Sequence, residues 1–155
     1  MSNATCGSYR NWHPFATEGV RTHFETCLIA CAPDTIAPDG SEVRTLLRLS
    51  GGSMAQFTLP AGQVSVPAVH KTVEEIWFFT GGRGEMWRRL GDQEEIVAVA
   101  SGVCITLPVG TRFQFRAFGD EPLVAIAVTM PPWPGPGEAL DVIGPWTPTV
   151  AAGTG

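Results

Sequence analysis

From Glu42 onward, short runs rich in Val, Ile, Leu, Phe and Trp alternate with breaks that hold Gly or Pro. Within the runs, side chains of like polarity share parity, as they do on a strand with one face turned inward. The pattern predicts nine strands, over residues 43–49, 54–59, 64–70, 75–80, 85–90, 94–98, 102–107, 112–117 and 123–129. Turn signals about every eight to twelve residues fit a sandwich or barrel. Gly51-Gly52, Pro60-Ala61-Gly62, Gly81-Gly82, Gly91-Asp92, the stretch 108–110 and Gly119-Asp120 supply the φ values that tight turns need. Helical periodicity never persists, so any helix is short and confined to the first 25 residues or the tail, and the fold class is all-β.

The prolines of the stretch Thr129-Met-Pro-Pro-Trp133-Pro-Gly-Pro-Gly137 remove ladder donors. It is expected to leave the barrel, either wrapping its outside or laying Trp133 over a cavity mouth. The organisation read from the chain is an N-terminal extension over 1–40 packed on a barrel of 41–130, followed by a Pro/Gly-rich tail over 131–155. Gly81-Gly82-Arg83-Gly84 lacks the lysine and following helix of a phosphate loop and reads as a hairpin turn.

At 155 residues the chain matches one domain of ordinary size. A net charge of -5, with Lys71 the only lysine and no run of arginines, leaves no basic patch for a phosphate backbone, so nucleic acid is not an expected partner. No stretch reaches the roughly 18 apolar residues of a membrane span, and residues 1–10 lack the layout of a secretory signal, so a cytoplasmic location is expected. Cys6, Cys27, Cys31 and Cys104 are read as reduced packing residues, with Cys27 and Cys31 on one face of a strand.

Between Gly62 and Gly82 the chain reads glycine, five residues, Ala68, one residue, His70, four residues, Glu75, six residues, glycine. Gly102, five residues, Pro108, one residue, Gly110, two residues, Phe113 and then Ala117 form a second such stretch. These resemble the two motifs of the cupin superfamily, and the resemblance covers roughly residues 43–129. It implies a cupin-type β-barrel, that is, a double-stranded β-helix or jelly roll. It also implies a metal site of three histidines and one glutamate, of which only His70 and Glu75 match, Ala68 and Phe113 being unable to ligate. The expectation is no cofactor. The alternative is a divalent metal ion held by His70 and Glu75 with a donor from His13, His23 or an N-terminal cysteine.

Parity puts Val66, Ala68 and His70 on one face, Glu75, Trp77 and Phe79 on another, and Phe113, Phe115 and Ala117 on a third. The resemblance implies that these faces line the barrel. The expected pocket then holds one imidazole, one carboxyl and several aromatic rings, a description that suits a hydrophobic small molecule. His70 and Glu75 are the candidate catalytic pair, the histidine as acid or base and the glutamate orienting its ring or shifting its pKa. Trp77, Phe79, Phe113, Phe115 and Trp133 are candidate substrate-binding residues. Arg88 is a candidate to turn its guanidinium inward toward an anionic group, although arginines at strand ends more often reach for water.

The leading functional reading is isomerase, cyclase or lyase chemistry without a redox metal. The alternatives are a metal-dependent cupin enzyme such as a dioxygenase, and a non-catalytic ligand-binding cupin. Ile76 and Phe78 on one strand, with Val97 and Val99 on another, are read as apolar surface outside the lumen, to be covered in a homodimer, and the resemblance implies the same pairing.

Overall fold

The computed structural model describes residues 24–154. His13, His23 and Cys6, three of the N-terminal donors considered for a metal, lie outside the described residues. The described residues contain eleven strands and no helix: β1 (Thr35–Ile36), β2 (Glu42–Arg48), β3 (Ser53–Leu59), β4 (Ala68–His70), β5 (Glu74–Gly81), β6 (Arg83–Leu90), β7 (Gln93–Ala100), β8 (Cys104–Leu107), β9 (Arg112–Phe118), β10 (Leu123–Met130) and β11 (Ala139–Asp141). They form two antiparallel sheets, ordered β1-β2-β3-β10-β5-β8 and β11-β4-β9-β6-β7. This is the all-β, double-stranded β-helix architecture.

The core lies between the sheets. On β5, Glu75, Trp77 and Phe79 are buried while Glu74, Ile76, Phe78 and Thr80 are exposed. On β10, Leu123, Ala125, Ala127 and Thr129 turn inward. Small residues on β10 leave room for the rings of β5, since Ala125 pairs with Phe79 and Ala127 with Trp77. Trp77, Phe79, Phe113 and Phe115 are all essentially inaccessible, and burial of each such ring contributes about 1.5–3 kcal/mol.

Four sequence expectations need correction. Residues 64–70 are strand only over Ala68–His70, because Pro67 has no donor, and Val64 makes an isolated bridge to Arg116. Gly81-Gly82-Arg83-Gly84 is no hairpin: β5 and β6 belong to different sheets, and the glycines carry the chain from one to the other. A side chain on Gly84 would overlap the Arg116 carbonyl oxygen, so glycine here lets β6 approach β9. Cys27 and Cys31 lie in an irregular segment rather than on a strand, and Cys27 and Cys104 carry free thiols.

The fourth correction concerns the outer faces. Val99 is 2% exposed and belongs to the core, with Val97 packed against it, whereas Ile76 and Phe78 are 48% and 46% exposed on the other sheet. The two pairs therefore do not form one surface. No helix among the described residues is long and apolar enough to cross a membrane.

The tail does more than wrap. β11 extends the second sheet through β4, placing Ala139 opposite His70. Farther on, the side-chain amide nitrogen of Gln114 donates to the Trp146 carbonyl at 2.8 Å, and the Trp146 N–H donates back to Gln114 Oε1 at 3.0 Å. The tail thereby gives a fully buried amide its partners on the outer side of β9.

Candidate functional site

His70 ends β4 and Glu75 is the second residue of β5, so a short turn brings both side chains to the same end of the lumen. His70 Nδ1 stands 3.7 Å from Glu75 Oε2, longer than a hydrogen bond. Glu75 Oε2 instead accepts from Trp77 Nε1 at 2.7 Å, a contact that period-two spacing allows because both residues share the inner face of β5. Glu75 therefore does not orient the imidazole. The histidine ring is held edge-on between Phe113 and Trp133, with centroids at 5.1 and 5.2 Å.

Burial moves the two groups in opposite directions. Removal from water raises the Glu75 carboxyl to about 8; the Trp77 hydrogen bond opposes this and the charge of Asp39 adds to it. The same effect lowers His70 to about 4, against the opposing influence of Glu138. At neutral pH the site therefore holds a protonated carboxyl beside a neutral imidazole.

A cavity of about 480 Å³ opens from this pair toward β2 and β3. Phe57, Trp77, Phe113 and Trp133 supply its aromatic wall, and Asp39, Arg48, Ser53 and Thr129 are among its further polar groups. Phe57 and Trp77 stack nearly parallel, 5.2 Å apart with 17° between their planes. Trp133, from the Pro/Gly-rich stretch, lies at the cavity against His70. Its N–H donates to Ser53 Oγ at 2.9 Å and its carbonyl accepts from Arg48 Nη1 at 3.0 Å. Ser53 Oγ also lies 2.6 Å from Thr129 Oγ1, and Thr129 is the register partner of Glu75. A chain of hydroxyls thus links the Trp133 backbone to the strand beside Glu75.

Phe79 and Phe115 do not reach the cavity. They pack on Trp77 with centroids at 6.0 and 5.4 Å and lie in the core behind it. Arg88 does turn inward from β6, but its Nη1 donates to the Thr106 carbonyl at 2.8 Å and its Nη2 pairs with Glu95, outside the cavity lining. It fastens β6 to the edge strands β7 and β8 and offers no guanidinium to a ligand in this cavity.

Two carboxyls escaped the sequence reading. Asp39 is buried in the cavity wall, where Oδ1 accepts from the Ser41 N–H at 2.8 Å and its hydroxyl at 2.5 Å. Burial raises its pKa, against the lowering effect of both Ser41 bonds. Pro38-Asp39-Gly40-Ser41 is a strong turn signal, but a turn signal does not say what the turn faces. Glu138 is also buried, and accepts from the Thr72 N–H, the Thr72 hydroxyl and the Val73 N–H at 2.5, 2.8 and 3.0 Å. Burial alone would raise its pKa, but these donors and His70 hold it below the usual range. Glu138 thereby ties the tail to the turn between His70 and Glu75.

The described residues do not fit the metal site of a cupin. Ala68 and Phe113, at two of its histidine positions, are register partners across β4 and β9, and both are buried. No group of three potential ligand side chains exists among the described residues. One imidazole and one carboxyl fall short of the three or four donors that such ions need.

No family model matches the chain. Uncharacterized protein MJ1618 of Methanocaldococcus jannaschii is 31% identical over 103 residues, which are 63% of this chain and 79% of that protein. Among solved structures, a conserved protein with a double-stranded beta-helix domain from Klebsiella pneumoniae subsp. pneumoniae MGH 78578 matches with a TM-score of 0.56 at 16% identity, over 67% of this chain and 85% of that one. Oxalate decarboxylase from Bacillus subtilis matches with a TM-score of 0.60 at 16% identity, over 70% of this chain but only 29% of the decarboxylase. A Bacillus halodurans protein matches with a TM-score of 0.53 at 18% identity, over 71% of this chain and 76% of that one. At such identities the structures speak for the fold alone.

Proposed function

We propose that the chain is a small-molecule enzyme on a cupin-type fold, using His70 and Glu75 as a base and an acid, without a redox metal. The observation that carries this reading is the meeting of the two groups, 3.7 Å apart and both buried, at the wall of an aromatic cavity. An apolar pocket that only held a ligand has no use for an ionisable pair there.

The reaction that suits the pair is enolisation of a carbonyl compound. Neutral His70 takes a proton from the carbon beside the carbonyl, and the electrons of the broken C–H bond form a C=C bond. The π pair of the carbonyl moves to its oxygen, which receives the Glu75 proton. An imidazolium and a carboxylate are then left as neighbours, so the charge created on each is offset by the other. Returning the proton to a different carbon gives an isomerase. Expulsion of a leaving group gives a lyase, and attack of the enol carbon on a second carbonyl gives a cyclase. A ligand that fills the cavity would displace water from it, which strengthens each polar contact inside.

The test is exchange of the α-hydrogens of 2-tetralone in deuterium oxide, followed by proton NMR. The protein should accelerate exchange, and His70→Ala and Glu75→Gln should each lose about 100-fold or more of that rate. A protein that binds the ketone without exchanging it, with both variants binding equally well, is a binding module, and the enzymatic reading then fails.

A further inference from the structure

One carboxyl oxygen in the cavity wall has no task in the fold. Asp39 is 5% exposed and lines the cavity, and its Oδ1 takes both the N–H and the hydroxyl of Ser41. Oδ2 forms no hydrogen bond among the described residues. Nor is it one of their fully hidden side-chain atoms without a partner, which are Arg88 Nε and Thr111 Oγ1. The access that Asp39 keeps is therefore to the cavity. A carboxyl oxygen removed from water and given no donor is unfavourable, and a ligand that brings a donor removes the penalty.

Asp39 and the reacting pair lie at different places on the wall. The Asp39 carbonyl accepts from the Val66 N–H at 2.8 Å, and His70 follows Val66 by four residues, no more than roughly 14 Å of extended chain. Val43, Phe57, Ala68 and Phe113 also line the cavity and bring no hydrogen-bonding side chain. Phe57 carries Trp77 against one face, 17° from parallel, and a flat ring packs on such a surface by offset stacking. A cavity of about 480 Å³ has room for roughly two or three fused rings. A two-ring ligand with an oxygen at each end, making a hydrogen bond of about 2.8 Å at each, is of a length that this spacing allows.

We infer that the cavity takes a hydroxylated cyclic ketone, with the carbonyl at His70 and Glu75 and a hydroxyl of the far ring donating to Asp39 Oδ2, which makes Asp39 a specificity-determining residue. This rests on the proposed role of the cavity as the substrate site. A hydroxyl suits Asp39 better than an ammonium does. It donates to a carboxylate and can accept from a carboxylic acid, whereas an ammonium has no lone pair for the acid and gives up far more hydration on entry. Burial favours the uncharged form of Asp39 and the Ser41 bonds favour the charged one, so a partner that serves both forms fits best.

The experiment is calorimetric titration of the full chain at pH 7 with 2-tetralone, 6-hydroxy-2-tetralone and 7-hydroxy-2-tetralone. At least one of the hydroxylated ketones should bind about tenfold or more tightly than 2-tetralone. The direction is diagnostic, because a hydroxyl that met no partner in an aromatic cavity would weaken binding. In Asp39→Ala the preference should shrink to within about twofold, with the affinity for 2-tetralone itself changed by no more than about twofold. Should that variant not fold, Asp39→Asn takes its place, since it keeps an oxygen for both Ser41 donors, and it should lose about threefold or more of the preference. Wild-type protein that binds neither hydroxylated ketone more tightly than 2-tetralone overturns the inference, as does a folded variant that keeps the full preference. A preference for the hydroxyl without hydrogen exchange of any of the three ketones removes the enzymatic reading alone. Exchange without the preference removes the Asp39 contact alone.

Discussion

Trp77, not His70, is the hydrogen-bond partner of Glu75: its Nε1 donates to Glu75 Oε2 at 2.7 Å, while His70 Nδ1 stays 3.7 Å away. The glutamate is therefore positioned by its own strand and the histidine by ring packing. Each can change protonation without pulling the other out of place, as a base and an acid that work in one step must.

The pH dependence of turnover follows from that arrangement. Glu75 must be protonated, which holds up to about 8, and His70 neutral, which holds down to about 4. The profile of kcat/KM for ketone exchange should be flat between these limits and fall on both sides. Replacing Trp77 by Phe removes a donor that lowers the Glu75 pKa, so the alkaline limb should move to higher pH. A limb that stays in place after Trp77→Phe would sever Glu75 from the alkaline titration.

Stability should titrate with the same groups. Glu75 is raised from 4.5 to about 8, so the folded chain binds the extra proton in that window and stability falls as pH rises through it. His70 is lowered from 6.5 to about 4, so its contribution has the opposite sign, and stability is lost as pH falls through that window. Where the windows overlap the slopes oppose each other, but from pH 6.5 to 8 His70 no longer opposes Glu75, which contributes up to about 1.4 kcal/mol per pH unit in the same sense as the raised Asp39. Urea midpoints at the two ends of that interval measure it. Glu75→Gln should flatten most of the slope, and an unchanged slope in that variant would refute the assignment.

Gly84→Ala tests the passage between the sheets. The new methyl would meet the Arg116 carbonyl oxygen, a backbone atom that cannot swing aside, so β6 and β9 must separate. A loss of about 1–3 kcal/mol or more is expected in urea unfolding, whereas Gly91→Ala, with open space around it, should cost less even at its positive φ. Equal losses at the two positions would mean that the close approach of the strands is not what glycine serves.

Much of this was legible in the sequence because period two is a local signal. All nine strand expectations from Glu42 onward have a strand at their place, and Glu75, Trp77 and Phe79 share the inner face as their parity requires. Parity says which residues share a face, but not which face is inside. Val97 and Val99 were assigned outward for that reason, although Ile76 and Phe78 are no less apolar and do lie outside. What lay beyond reach depends on pairing between distant segments. Asp39 reaches the cavity wall because its carbonyl accepts from the Val66 N–H, and Glu138 reaches the turn after His70 only once the tail has joined β4. Neither contact has a periodicity to betray it.

Ser53 is the residue through which the tail can be separated from the chemistry. Its hydroxyl takes the Trp133 N–H and meets Thr129 Oγ1, yet it contacts neither His70 nor Glu75 by hydrogen bond. Ser53→Ala leaves the Trp133 N–H without that acceptor and Thr129 Oγ1 without that partner, a loss of about 1–3 kcal/mol if water does not replace them. Arg48 still holds the Trp133 carbonyl, so the strap should loosen rather than detach. Ligand affinity should then weaken by about tenfold through poorer closure over His70, while kcat for exchange stays near the wild-type value, because the acid and the base have not moved. Titration of 2-tetralone against Ser53→Ala, together with its exchange rate at saturation, separates the two quantities. A fall in kcat with unchanged affinity would place the hydroxyl chain in the proton transfer itself and not in the closing of the cavity.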